Sequence, residues 1–266
     1  MAEARNVAPG QEVGSARRVL LGVITPSSNT VLEPVTQAIL ASLGPNFSAH
    51  FQRFSVTRIG ADATALHQFD TAPMLAAARM LTDARVEVIV WSGTSGSWLG
   101  VERDHELVRD ISAATGVKAT TAVLALDEAM AALGARRLGL VTPYVSEIQR
   151  LISAQYAARG IEVVAERHFE DPGNFSFSEH GEAEIADAIQ AVAAARPDVI
   201  AILCTNLRGA SVAAALEAGI GIPILDSVSV SVWKSLGMAG VPPGRVRGWG
   251  RLFDLATAPA NESVTP

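Results

Sequence analysis

Cys204 is the one cysteine of the chain, and it closes the apolar run Val199–Leu203 with Thr205, Asn206 and Arg208 behind it. A lone thiol can make neither an intramolecular disulfide nor a cysteine-built zinc site, so it is either packing or a group with chemistry of its own. At the polar end of a strand, near a helix N-terminus, thiolate is favoured and proton exchange near neutral pH comes within reach. Other strand ends carry matching residue types. Thr25-Pro26-Ser27-Ser28-Asn29-Thr30 and Ser92-Gly93-Thr94-Ser95-Gly96-Ser97 offer hydroxyls, an amide and turn backbone to an oxyanion. Tyr144 follows Val141-Thr142-Pro143 with a phenol that can donate to a carboxylate, and Asn174 sits in the turn Asp171-Pro172-Gly173-Asn174-Phe175. Each has a plainer role open to it as well, since such residues also make N-caps and turns, a free cysteine packs as a small hydrophobe, and a phenol packs with its tip polar.

The alternatives to proton chemistry are thin. The run at 92–97 has no Gly-Lys-Ser/Thr after it and lacks dinucleotide-fingerprint spacing, no GxSxG elbow occurs, and His50, His67, His105, His168 and His180 show no HExxH spacing. The expected chemistry is metal-free and cofactor-free.

The elements that must position these groups read as alternating strands and helices. Val19–Ile24, Ala49–Val56, Val86–Trp91, Arg137–Val141, Ile161–Ala165, Val199–Cys204 and Ile222–Leu225 are short, β-branched and nearly continuous in their apolar character. Such runs suit a parallel sheet buried on both faces by crossover helices. Helices are expected to start at Thr30, at Asp70 and at Tyr144 or Ser146, and to stop at Gly44, Gly116, Gly134 and Gly160. Val86–Gly96 and Asp198–Gly209 form a weak internal repeat, strand then small polar residues then helix. The fold class expected is α/β, with two similar lobes, each a parallel sheet flanked by helices, and an active site in the interlobe cleft where strand ends bind anions. The boundaries read as a flexible tail over 1–18, one lobe over 19–120 plus 227–254, the other over 121–226, and a second tail over 255–266.

Composition narrows the partners. The 266 residues are 49% hydrophobic, enough for a sizeable core, and 21 Lys+Arg against 27 Asp+Glu give a net charge of -6 without a basic run. The footprint of a nucleic-acid binder is absent, leaving a small molecule as the expected partner. Apolar runs such as Arg85–Trp91 fall short of the roughly 20 residues of a membrane span, and 1–16 lack the apolar centre of a secretory signal, so a cytoplasmic protein is expected.

Taken together, the strand ends resemble the aspartate/glutamate racemase superfamily from Val19 to Asp254. Gly93-Thr94-Ser95, the run Thr120–Leu124 with Ala132-Leu133-Gly134 and Arg136-Arg137, and Gly248–Asp254 resemble arylmalonate decarboxylases. Pro26-Ser27-Ser28-Asn29-Thr30, Pro143-Tyr144 and Gly173-Asn174 resemble maleate cis-trans isomerases. The resemblance implies that racemases and isomerases of the superfamily use two facing cysteines, one from each lobe. Here the second is Cys204, while the first falls at Gly93, the glycine-plus-cysteine pattern of the decarboxylases.

That pattern implies a mechanism. One malonate carboxylate is held by Thr94, Ser95, Tyr144 and nearby backbone N–H groups, the other is pressed against apolar side chains and leaves as carbon dioxide, and Cys204 protonates the resulting enediolate on one face. The remaining ligand contacts implied are Pro26, Asn29, Gly93, Asn174 and Thr205, with no metal. Ser27, Ser28 and Asn29 depart from the decarboxylases towards the isomerases, and Thr205-Asn206 replaces a glycine pair. The expected function is decarboxylation of an arylmalonate-type diacid. Isomerase-like or racemase-like action on a small dicarboxylate or amino acid, and non-catalytic carboxylate binding, stand as its alternatives.

Overall fold

The apolar runs fold as strands of two parallel sheets. The computed structural model describes residues 17–257. Its strands are β1 (Val19–Pro26), β2 (Phe47–Phe54), β3 (Val88–Trp91), β4 (Lys118–Thr121), β5 (Arg137–Thr142), β6 (Glu162–His168), β7 (Val199–Ile202) and β8 (Ile224–Asp226). One sheet has the order β2-β1-β3-β4, the other β6-β5-β7-β8, and every pairing is parallel. This is the α/β two-lobe architecture expected from the sequence, with the second sheet repeating the strand permutation of the first. The central strands β3 and β7 are buried at every residue, whereas the edge strands β2 and β6 are mostly half-buried. The continuous apolar runs mark the centres of the sheets for that reason.

All seven expected strands are present. The eighth, β4, reads Lys-Ala-Thr-Thr and is too short and polar to show as an apolar run. Each of the seven differs from its expected range by one to three residues at one or both ends, and two of the shifts bear on the site. β2 ends at Phe54 because Val56 leaves the ladder: its N–H donates to Ser27 Oγ at 3.1 Å and its carbonyl accepts from Ser28 Oγ at 2.8 Å. β7 ends at Ile202, two residues before Cys204.

The repeat extends further than β3 and β7. Leu21-Gly22-Val23-Ile24-Thr25-Pro26 and Leu138-Gly139-Leu140-Val141-Thr142-Pro143 run along the equivalent strands β1 and β5. A Cβ on Gly22 would lie 2.9 Å from Val86 Cγ2, and one on Gly139 would meet Val192 and Pro197. Both glycines let the layer beneath the sheet approach the strand closely.

The four expected stop glycines, Gly44, Gly116, Gly134 and Gly160, have φ of 95°, 69°, 64° and 74°, the left-handed geometry that favours glycine after a helix. At the starts, Asp70 is an N-cap as read, but the first helix, Leu32–Ala41, is not capped by Thr30. Asn29 does this, its Oδ1 accepting from the N–H of Val31 at 3.0 Å and of Leu32 at 2.9 Å. Ser146 is the first residue of its helix, with its N–H donated to a Glu170 carboxylate oxygen at 3.0 Å.

The helix Ser227–Met238 follows β8 and lies against β3, β4 and the helix Leu32–Ala41, binding the end of the chain to the first sheet. The segments 1–16 and 258–266, most of the two expected tails, lie outside the described residues. Of the remainder, Arg17 donates to the Ala239 carbonyl at 2.9 Å, and the Leu255 carbonyl accepts from Trp233 Nε1 at 3.0 Å. No helix among the described residues is long and apolar enough to cross a membrane.

Candidate active site

The carboxyl ends of β1, β3, β5 and β7 converge on one small cavity between the two sheets. Pro26, Asn29, Gly93, Thr94, Ser95, Tyr144, Asn174, Cys204 and Thr205, singled out from the sequence, all line it. Ser27 and Ser28 do not, because their hydroxyls turn back to Val56. Arg208 is exposed and donates to the His180 carbonyl at 3.0 Å.

The lining combines polar and apolar residues: Cys204, Thr205 and Asn206 with Thr94, Ser95 and Tyr144, and beside them Val56, Ile59, Phe69, Trp91 and Trp98. Asn206 joins the cavity with Cys204 and Thr205, the run the sequence places there, whereas the apolar lining residues were not expected at the site. The two tryptophans bracket the 92–97 run, so their positions are visible in the sequence but their inward direction is not. Among the described residues, none lining this cavity carries a formal charge. An anion bound here is therefore held by neutral donors alone, at a high desolvation cost.

Much of the amide capacity is already committed. Asn29 Nδ2 donates to Thr205 Oγ1 at 3.1 Å while its oxygen caps the helix. Asn206 Oδ1 accepts from the Thr30 N–H at 3.0 Å, and its Nδ2 donates to the Asn174 carbonyl at 2.6 Å. Asn174 Nδ2 reaches across to the Val56 carbonyl at 3.1 Å. These side chains tie the lobes together around the cavity. By contrast the Thr94 and Tyr144 hydroxyls share one short hydrogen bond, 2.7 Å, in which either is the donor. Tyr144 is fixed edge-on between Trp98 and Phe177, with centroids 5.3 Å and 5.6 Å away.

Cys204 corrects an expectation. The helix that follows begins only at Ala210, so the thiol is not at its N-terminus, and burial pushes its pKa up to about 12. The Asn206 N–H, 3.4 Å from Sγ, and the Tyr144 side chain oppose that shift without overcoming it. The resting group is a thiol, a proton donor rather than a thiolate nucleophile. Burial likewise raises the Tyr144 pKa well above its ordinary value, so its hydroxyl stays protonated. Behind the thiol lies Asp226, its Oδ1 accepting from the N–H groups of Val228 and Ser229 at 2.9 Å and 3.0 Å, its Oδ2 buried without a partner. Burial raises this carboxyl to about 7.

Parts of the sequence resemblance lie elsewhere. In Thr120–Leu124, Thr121 caps the helix Ala122–Ala132. In Gly248–Asp254, the Arg251 N–H donates to buried Glu217 at 2.6 Å, fastening the C-terminal segment to the helix Ala210–Ile220. These are framework roles.

Comparison with known proteins agrees with the geometry. The chain is 27% identical over 237 residues to the arylmalonate decarboxylase of Bordetella bronchiseptica, covering 88% of this chain and 96% of that one. It is 25% identical over 240 residues to the maleate isomerase of Pseudomonas putida, covering 84% and 94%. Among solved structures, a cysteine-to-serine variant of the Nocardia farcinica maleate cis-trans isomerase, holding a covalently bound succinylcysteine intermediate, superposes with a TM-score of 0.81 at 22% identity, over 88% of this chain and 98% of that one. The family model for arylmalonate decarboxylase matches residues 32–253, nearly the whole described chain, and the protein therefore belongs to the arylmalonate decarboxylase family.

Proposed function

We propose that the chain is a cofactor-independent decarboxylase of a substituted malonate, with Cys204 as the acid that protonates the carbon left behind. The observation that supports this reading is a thiol kept protonated by burial in a cavity lined by hydroxyl, amide and apolar side chains and by no formal charge. One carboxylate accepts from Thr94, Ser95 and Tyr144. The other faces Val56, Ile59, Phe69 and the two tryptophan rings, mostly apolar surface that returns little of its lost hydration. The bond from the central carbon to that carboxylate breaks, its electron pair passes into an enediolate, and neutral carbon dioxide leaves. Desolvation raises the ground state more than the charge-dispersed transition state, and the Tyr144–Thr94 pair strengthens its hold as charge builds on the retained carboxylate. The S–H proton of Cys204 then passes to carbon, and the thiolate recovers a proton from solvent.

Isomerisation by thiol addition would start from thiolate, which burial of Cys204 opposes. It would also need donors for both carboxylates, while Asn29, Asn174 and Asn206 are engaged in joining the lobes. The test is to incubate the purified chain with phenylmalonate and, separately, with maleate, following carbon dioxide and fumarate. Carbon dioxide and phenylacetate are expected. Fumarate formation with no carbon dioxide from any malonate would replace this reading by isomerisation. No turnover of either, with dicarboxylate affinity unchanged in Cys204→Ala, would make the chain a binding protein.

A further inference from the structure

Gly93 is where the two-cysteine members of the superfamily are expected to carry their other thiol, yet its space is not vacant. A Cβ placed on Gly93 would lie 2.5 Å from Trp91 Cη2 and closer still to Cζ2 and Cε2. Ordinary carbon contacts are about 3.5–4.0 Å. The side chain two residues upstream, on the same face of the strand end, has folded over the glycine. Nor is that indole loose. Trp91 is 1% exposed, its ring centre lies 5.1 Å from that of Phe54, and its Nε1–H points at Ser95 Oγ, 3.4 Å away. Trp91 and Gly93 both line the cavity with Cys204, which stands at the end of the repeat-equivalent strand of the other sheet.

We propose that Trp91 is the specificity-determining residue of the site: its indole stands where a second thiol would stand, leaving the reacting carbon open to a proton donor on the Cys204 face alone. One-faced protonation is then enforced by a filled volume, beyond the mere lack of a second acid. For its chemical consequence the proposal rests on Cys204 being the donor. Its packing half does not.

The test uses four proteins, wild type, Gly93→Cys, Trp91→Leu and the double variant, with two readouts. In thermal unfolding, Gly93→Cys alone is expected to lower the midpoint by about 5 °C through overpacking. The double variant is expected to unfold well above the sum of the two single shifts, because leucine vacates the space the new side chain needs. Additive shifts would overturn the proposal. In deuterated buffer with one enantiomer of 2-phenylpropionate, the double variant is expected to racemise the acid at least 10-fold faster than Gly93→Cys. Equal racemisation by Gly93→Cys alone would show that the indole blocks nothing and would also overturn it. If wild type decarboxylates no malonate and no variant exchanges an α-proton, the functional reading fails, and the midpoints alone decide whether Trp91 owns that space.

Discussion

The ends of β3 and β7 occupy the same place in two sheets of identical strand order, and they do opposite things. After β3 come a glycine under an indole and two hydroxyl residues; after β7 come a buried thiol and an amide that bonds to both lobes. The scaffold is symmetric while the chemistry is not. In the proposed function one end is a neutral cradle for a carboxylate and the other a single acid. A symmetric frame places two groups across one carbon, and replacing one member of the pair converts a two-sided site to a one-sided one without altering the sheets.

The strongest way to break the contrast is to remove the acid. Cys204→Ser keeps the shape but offers a far weaker acid, and kcat for carbon dioxide release or for product protonation is expected to fall about 10³-fold with little change in KM. A loss confined to KM would mean that the thiol only packs. On the cradle side, Tyr144→Phe preserves the edge contacts with Trp98 and Phe177 but deletes the hydroxyl bonded to Thr94. An expected drop of about 10²-fold in kcat/KM, with the thermal midpoint nearly unchanged, would place the effect in the transition state. A variant as active as wild type would end the role of the Tyr144–Thr94 pair.

Asn206 tests how the two ends are held together. Its side chain accepts from Thr30 in one lobe and donates to Asn174 in the other, and it is 1% exposed. Asn206→Ala leaves the Asn174 carbonyl buried without this partner and takes the acceptor from the Thr30 N–H, so a loss of about 2 kcal/mol in denaturant unfolding is expected. No change in stability would show that the cavity does not depend on this bridge.

How far the sequence discloses this arrangement differs from region to region. The central strands announce themselves because burial on both faces demands unbroken apolar runs, and the stop glycines because only a residue without Cβ takes φ near +70° cheaply. β4 stays hidden because Thr120 and Thr121 are buried without being apolar; Thr121 spends its hydroxyl on a cap and on the Asp104 carboxylate, 2.5 Å away. The strand-end residues of the cavity are legible since polar types must follow an apolar strand somewhere, and the family resemblance says which of them matter. What the chain does not disclose by pattern is direction. Trp91 reads as the last core residue of a strand, and only packing turns it over Gly93. Similarly, Asn29 reads as a ligand contact, whereas its oxygen is spent on a helix.

A finer comparison concerns β4 and β8, each of which runs straight into a helix that its last residue caps, Thr121 in one sheet and Asp226 in the other. The hydroxyl cap is neutral at every pH, but the carboxyl cap is not. Burial raises Asp226 to about 7, far above its unfolded value near 4. A raised carboxyl holds its proton more tightly in the folded state, so its contribution is fully present below about pH 4 and is lost as pH rises through about 7. Asp104, raised by burial to about 7 as well, adds a loss of the same sign from the other lobe. In Asp226→Asn the Oδ1 cap survives while the titration is gone. Stability relative to wild type should therefore climb with pH, by up to about 1.4 kcal/mol between pH 5 and pH 6, the limit set by one proton per unfolding event. Parallel stability curves for the two proteins would mean that Asp226 is ionised throughout, and with it that a fixed negative charge stands behind the Cys204 thiol.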